Sequence, residues 1–278
     1  MSGSLTADQV RRYEQEGYLT ALRALGLEET ARFRACFEEY ERSLGDKLDL
    51  LPPKDHRLFF TDPHKFLHWA YDLGTRPAVL DAVESLLGPD LLLWSTQFFP
   101  KRPRDPTYIS WHQDGTYWAL DPPKVCTAWI ALTRSVEANG CLRVVPGSHT
   151  SRLPHHDTFD TDNALSRGQE IAVDVPEKTA LSLVLTPGEM SIHHVGTVHG
   201  SMANTSDEPR IGFALVFIAP EVRQTVDGPP AMLVRGEDRF GHFSLESPPG
   251  ELIAVELESR RLAVVAALGR VLLGSSDG

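Results

Sequence analysis

Cysteine is scarce. Cys36, Cys126 and Cys141 are the only three in 278 residues, an odd number without the close pairing of a metal knuckle. Neither a disulfide framework nor a cysteine metal site is expected. Long apolar runs are missing too, none approaching the roughly 20 residues that cross a bilayer. Met1 to Thr6 lacks the basic flank and apolar run of a secretory signal. Positive charge is in deficit, with 27 Lys and Arg against 38 Asp and Glu, a formal net charge of -11. Such a surface repels phosphate backbones and anionic lipid, so nucleic acid and membrane are not expected partners. There is no phosphate-cradling GxxxxGK(S/T), no HExxH and no GxSxG, which removes support for nucleotide hydrolysis, zincin and serine-hydrolase chemistry. The expectation is a cytoplasmic protein, monomer or homodimer, acting on a small molecule.

What is present is ordinary globular material, 41% hydrophobic and 23% charged. Thr6 and Gln9 fit a capping box that opens a first helix. Phe33, Phe37, Tyr40 and Leu44 recur at helical spacing on a second. Residues 45–58 read as a loop, and Asp62-Pro63 and Arg76-Pro77 as two further helix starts. From Leu91 the pattern changes to short strands at 91–99, 107–113, 125–132, 141–146, 180–185, 189–195 and 210–219, with Asn139-Gly140 a tight-turn signal. No helices alternate with these strands, which argues against a doubly wound parallel sheet. The expected fold is an all-β core with flanking helices, a double-stranded jelly roll carrying its N-terminal helices outside. We read one domain, 1–278: a helical part (1–90), the jelly-roll core (91–220) and an extension (221–278). The apolar spacing of Leu257, Val264, Leu268 and Val271 makes a helix in that extension, to cap the barrel or pair with a second subunit.

The chemistry concentrates in Trp111-His112-Gln113-Asp114-Gly115. Residues two apart on a strand face the same way, so His112 and Asp114 can ligate one ion. Two histidines and a carboxylate on one face of a metal leave three positions open, as non-haem iron oxygenases require. The tripeptide is not diagnostic alone, because His155-His156-Asp157 repeats it; that copy follows Pro154 in a polar segment and reads as a loop. His199 precedes the clearest strand and supplies the second histidine. Arg210 opens that strand, placed to grip a distal carboxylate, with Gly212 and Ala214 on its face leaving room for a ligand. His193 and His194 are neighbours on one strand, so they point oppositely and cannot both be ligands. His149 reads as a turn residue. A zinc hydrolase or isomerase on the same barrel, or a binding module without catalysis, are the alternatives.

These segments together resemble the phytanoyl-CoA dioxygenase family of iron(II)/2-oxoglutarate oxygenases. The likeness spans about Thr6 to Pro248. It is densest in Gln97 to Lys101, Trp111 to Trp118, Asn139 to His149, His199-Gly200-Ser201 with Arg210, and Leu233 to Gly236. The resemblance implies a double-stranded β-helix with Fe(II) on His112, Asp114 and His199. It implies 2-oxoglutarate held by Arg210 and Ser201, with Trp129 and Gln97 nearby and Lys101 a weaker carry-over; O2 completes the cofactor set. Hydroxylation of an unactivated C–H in a small or medium, for example biosynthetic, metabolite follows, with desaturation, ring closure or epimerisation as alternatives from the same site. Tyr117, Trp118 and the 155–168 segment are the expected substrate contacts.

Overall fold

A period of two along each strand and a helical stripe on each helix decide the layers. The computed structural model describes residues 3–49, 56–165, 167–175, 177–225, 228–250 and 254–273. The N-terminal part contains α1 (Ala7–Glu16), β1 (Tyr18–Arg23), α2 (Leu27–Leu44), α3 (Asp46–Asp49), α4 (Arg57–Phe60), α5 (His68–Gly74) and α6 (Pro77–Leu87). There follow β2 (Leu91–Lys101), β3 (Ile109–His112), β4 (Leu120–Asp121), β5 (Val125–Ala131), β6 (Leu142–Val144) and β7 (His155–Asp157). The later strands are β8 (Gln169–Ile171), β9 (Leu181–Ser182), β10 (Glu189–His194), β11 (His199–Ser201), β12 (Arg210–Ile218), β13 (Arg223–Gln224) and β14 (Met232–Arg235), before α7 (Ala254–Leu273).

The strands form a jelly roll. A six-stranded antiparallel sheet runs β1-β10-β5-β12-β2-β14 and faces a four-stranded sheet β3-β11-β6-β9. On the large sheet Phe98, Ile130, Ile192, Ile211, Phe213 and Leu215 point outward into the main apolar cluster. There they meet Phe33, Phe37 and Tyr40 of α2 and Val79 and Val83 of α6. Phe98 stacks on Phe213 at 4.1 Å and touches Phe37 at 4.8 Å. The alternate residues face the barrel interior: Arg210 pairs with Lys101, Gly212 with Phe99 and Ala214 with both Gln97 and Trp129. The helices therefore plate one face of the large sheet, and the interior is left for chemistry.

Local signals account for most elements. Gln9 N donates to Thr6 Oγ1 at 3.2 Å while Thr6 N donates to the Gln9 side chain at 2.8 Å, the expected capping box. Pro77 occupies the first turn of α6. Asp62-Pro63 differs, opening only a 3-10 turn over Pro63–Lys65. The Asp62 carboxylate instead accepts from Ser95 Oγ and Thr96 N on β2, at 2.7 and 3.0 Å, tying the turn to the sheet. Within 45–58 the chain forms α3 and the start of α4; residues 50–55 lie outside the described residues.

Seven strands escaped the pattern: β1, β4, β7, β8, β11, β13 and β14. β1 pairs with β10, but its register shifts between Leu19 and Leu22 and Ala21 has φ 56°, so alternation breaks. β11 has three residues, too few for a period. The segment read as a loop at His155-His156-Asp157 is β7, paired with β8 in an outlying two-stranded ribbon; with little of it buried, it has no hydrophobic alternation to read. In the extension, α7 lies against α4, where the buried Arg261 guanidinium sits 4.9 Å over Phe59. Leu257 and Val264 pack at the edge of the main cluster; residues 251–253 and the side chains of Leu268 and Val271 lie outside the described residues. Among the described residues no helix is long and apolar enough to cross a membrane.

Candidate metal centre

The four-stranded sheet brings His112 and His199 side by side. They are directly opposed on antiparallel β3 and β11, their ring centroids 4.1 Å apart. Each ring is fixed in the same way: Nδ1 lies 2.9 Å from the carbonyl two residues earlier, Ser110 O for His112 and Thr197 O for His199. A carbonyl only accepts, so Nδ1 carries the proton and the Nε2 lone pair is free for a metal. Burial, followed by neighbouring His112, pushes the His199 imidazolium well below its usual range, which keeps it in the neutral, ligating form.

Asp114 is not on the strand. β3 ends at His112, and Asp114 opens a 3-10 turn, Asp114–Thr116. Gln113 between them is extended (φ -121°, ψ 121°), so the two-residue alternation still turns Asp114 toward His112. Asp114 Oδ1 lies 3.4 Å from His112 Nε2, and Oδ2 lies 3.8 Å from His199 Nε2. Among the described residues these three form the one group of His, Cys, Asp or Glu whose ligand atoms all fall within 4.8 Å of one another. Bonds of about 2 Å to one ion separate its ligand atoms by roughly 3–4 Å. The donor set fits a divalent metal.

Gln113 and His155 hold this turn in place; Gln113 carried no expected role, and His155 was expected only as part of the 155–168 substrate-contact segment. Gln113 Nε2 donates to Ser151 O at 2.7 Å and Gly196 O at 2.6 Å, and its Oε1 accepts from Leu153 N at 2.8 Å. His155 donates from Nδ1 to Leu153 O at 2.9 Å and accepts at Nε2 from Gln113 N at 3.0 Å. Both of its nitrogens are thus occupied, which explains why the second His-x-Asp tripeptide is not a ligand pair. A glutamine between two ligands was the available signal.

One interior layer away lies a positive pocket. Arg210 is fully buried; Nη1 donates to Gly140 O at 2.6 Å and Ser201 Oγ at 3.3 Å, and Nη2 to Phe99 O at 3.2 Å. Its Nε has no partner. Beside it Lys101, also buried, donates to the carbonyls of Ser201 and Met202. Burial, then the neighbouring guanidinium, pushes the Lys101 ammonium down to about 6, and burial pulls Arg210 down to about 10. Among the described residues neither cation has a carboxylate in an ion pair, an expensive arrangement unless an anion joins it. Gly140 closes the pocket with φ 73°, where a side chain would run into the Met202 carbonyl.

Gly212 does not leave the room expected of it. The Trp129 ring lies across it so closely that a β-carbon would overlap the ring. Trp129 is not plain core: its face receives the Arg210 guanidinium at 5.3 Å. Gln97 is half-buried and lines a pocket of about 290 Å³ with Phe99, Arg57 and Arg102, a pocket that includes none of His112, Asp114, His199 and Arg210. Tyr117 meets His155 edge-on at 5.3 Å under Arg167, and Trp118 packs 5.4 Å from Trp94. The 155–168 segment, which is β7 and the loop after it, carries Arg167 near Tyr117. His149 sits outside the barrel, its Nε2 3.1 Å from Glu14 O, a turn residue as read.

Comparison with known proteins follows this geometry. A family model described as phytanoyl-CoA dioxygenase (PhyH) matches residues 13–212. A probable phytanoyl-CoA dioxygenase of Caenorhabditis elegans is 28% identical over 229 residues, covering 73% of this chain and 72% of that protein. The solved structure of a non-heme monooxygenase, ThoJ in its apo form, is similar with a TM-score of 0.81 and 33% identity, over 96% of this chain and 98% of that one. CytC3 with Fe(II) and alpha-ketoglutarate is similar with a TM-score of 0.65 and 26% identity, over 88% and 94%.

Proposed function

Because this chain belongs to the phytanoyl-CoA dioxygenase family, we propose that it is an iron(II)- and 2-oxoglutarate-dependent oxygenase of a small molecule. In this reading His112, Asp114 and His199 hold the metal. The observation that carries it is the pairing of two features in one barrel. Two histidines with their protons fixed on Nδ1 converge on a carboxylate, and the buried basic groups Lys101 and Arg210, with no ion-paired carboxylate among the described residues, stand one layer away. A dicarboxylate that chelates a metal at one end would satisfy both.

Iron and 2-oxoglutarate, when bound, would supply the oxidising chemistry that converts cosubstrate and O2 to succinate and CO2 and hydroxylates a substrate C–H. The protein's part is placement. Arg210 Nε, Lys101 Nζ and Ser201 Oγ take the distal carboxylate, and Trp129 clamps the guanidinium from the other side. Three protein ligands leave three positions for cosubstrate and O2. A zinc hydrolase would have no use for the cation pair. The substrate is a small or medium metabolite rather than an acyl-CoA: Arg102 and Arg104, which line the pocket beside Gln97, already pair with Glu41 and Asp207 at 3.4 and 2.8 Å. Tyr117 and Trp118 are its proposed contacts, and the cytoplasm its compartment.

The test is a thermal-shift titration under nitrogen with Mn(II) as an unreactive metal. A ligand that binds only the folded state stabilises by RT ln(1 + [L]/Kd), about 2.7 kcal/mol at a hundredfold excess. Mn(II) and 2-oxoglutarate together should stabilise more than the sum of their separate effects. Arg210→Ala should keep the metal shift and lose the cosubstrate shift. Equal 2-oxoglutarate shifts with and without Mn(II) would remove the proposed site.

A further inference from the structure

The barrel interior contains a third imidazole to which this assignment gives no task. His193, on β10, is 2% exposed, and neither of its ring nitrogens has a hydrogen-bond partner. Native structures rarely leave a buried polar group unsatisfied, still less both nitrogens of one ring. Strand alternation sends its neighbour His194 outward, toward Tyr13 and His149, and turns His193 inward onto the site. His193 Nε2 lies 3.8 Å from Asp114 Oδ2, as far as His199 Nε2 does from the same oxygen, and the two rings are 4.4 Å apart.

His193 is not a fourth ligand. Its nitrogens fall outside the mutual 4.8 Å set formed by His112, Asp114 and His199. A fourth protein ligand would also leave only two of six positions, too few for a chelating cosubstrate and O2 together.

We propose that His193 is the positioning residue for Asp114, donating from Nε2–H to Oδ2 while Oδ1, on the His112 side, is left to the metal. This rests on the metal assignment above. A shift of about 1 Å brings the 3.8 Å contact into hydrogen-bond range. The proton must then sit on Nε2, the reverse of His112 and His199, whose Nδ1 protons are fixed by carbonyls. Nothing of that kind faces His193. Directly across from it on β5 stands Thr127, whose buried hydroxyl is also without a partner. A hydroxyl can donate to Nδ1, which leaves Nε2 as the protonated nitrogen. The chain Thr127 to His193 to Asp114 holds the carboxylate on one oxygen, and the second oxygen is kept from taking a further metal position.

The experiment measures Mn(II) affinity from the free-ion paramagnetic resonance signal, beside the metal-free melting temperature, for wild type, His193→Phe, His193→Gln and Thr127→Val. His193→Phe should bind Mn(II) about 10- to 100-fold more weakly. Its metal-free melting temperature should be unchanged or higher, because an apolar ring replaces two unpartnered nitrogens. His193→Gln, whose amide can still donate, should recover most of the affinity, and Thr127→Val should lose part of it. Wild-type affinity in a folded His193→Phe protein overturns the inference and leaves the metal assignment standing. Should His193→Phe not fold, His193→Gln and Thr127→Val decide: a Gln variant as weak as metal-site loss, or a Val variant as tight as wild type, overturns it equally. Wild-type protein that binds no Mn(II) overturns the metal assignment itself.

Discussion

Lys101 and Arg210 are two buried basic groups with no ion-paired carboxylate among the described residues. The free protein holds Lys101 at about 6 against an ordinary 10.5, through burial first and Arg210 second. Between those values the unfolded chain carries a proton that the folded chain does not, so this group makes stability rise with pH across that window. A bound carboxylate reverses the preference and draws the proton back. Binding of 2-oxoglutarate at about pH 7.5, inside this window, should therefore take up a proton. Calorimetry in two buffers of different ionisation heat reads this directly. Lys101→Met should abolish the uptake while Mn(II) still binds; uptake that persists in that variant would place the proton elsewhere.

At the scale of elements, the site depends on a turn rather than a strand. Gln113 fastens the Asp114 turn to the chain at Ser151, Leu153 and Gly196 with three short bonds. His155 fastens Gln113's own backbone. Gln113→Leu keeps the volume and strands two carbonyls and an N–H, each worth about 1–3 kcal/mol when buried unpaired. We expect a stability loss of upwards of about 2 kcal/mol in urea unfolding, together with weaker Mn(II) binding. Unchanged metal affinity at reduced stability would show that the turn is held by its backbone alone.

For the whole molecule, the helices and the chemistry lie on opposite faces of one sheet. α7 belongs to the helical side: Arg261 covers Phe59, its neighbour Glu258 pairs with Arg261 and with Lys47 of α3, and no described residue of α7 reaches the metal centre. Truncation before Ala254 should lower the melting temperature by uncovering Phe59, and leave the joint Mn(II) and 2-oxoglutarate stabilisation intact. Loss of that joint effect at temperatures where the truncated protein is still folded would mean that α7 supports the site through α4.

The sequence by itself determined the class of fold, the long strands of the large sheet, the capped helices and the four side chains from which the site is argued. Each of these rests on a local rule: apolar runs along β5 and β12 and alternation along β10, the Thr6–Gln9 box, proline in a first turn, residue types suited to a metal and a carboxylate. Tertiary structure decided what local rules do not reach. The period of two says that His193 and His194 face apart, but only sheet pairing says which of them faces Asp114. Gly212 is small in the sequence, and only the crossing of β5 shows that Trp129 fills the space. The two His-x-Asp tripeptides are alike as strings; what separates them is that His112 lies beside His199 in a buried sheet, whereas His155 is spent on a backbone N–H. Ligation needs free lone pairs brought together from distant segments, and long-range strand pairing is what brings them there.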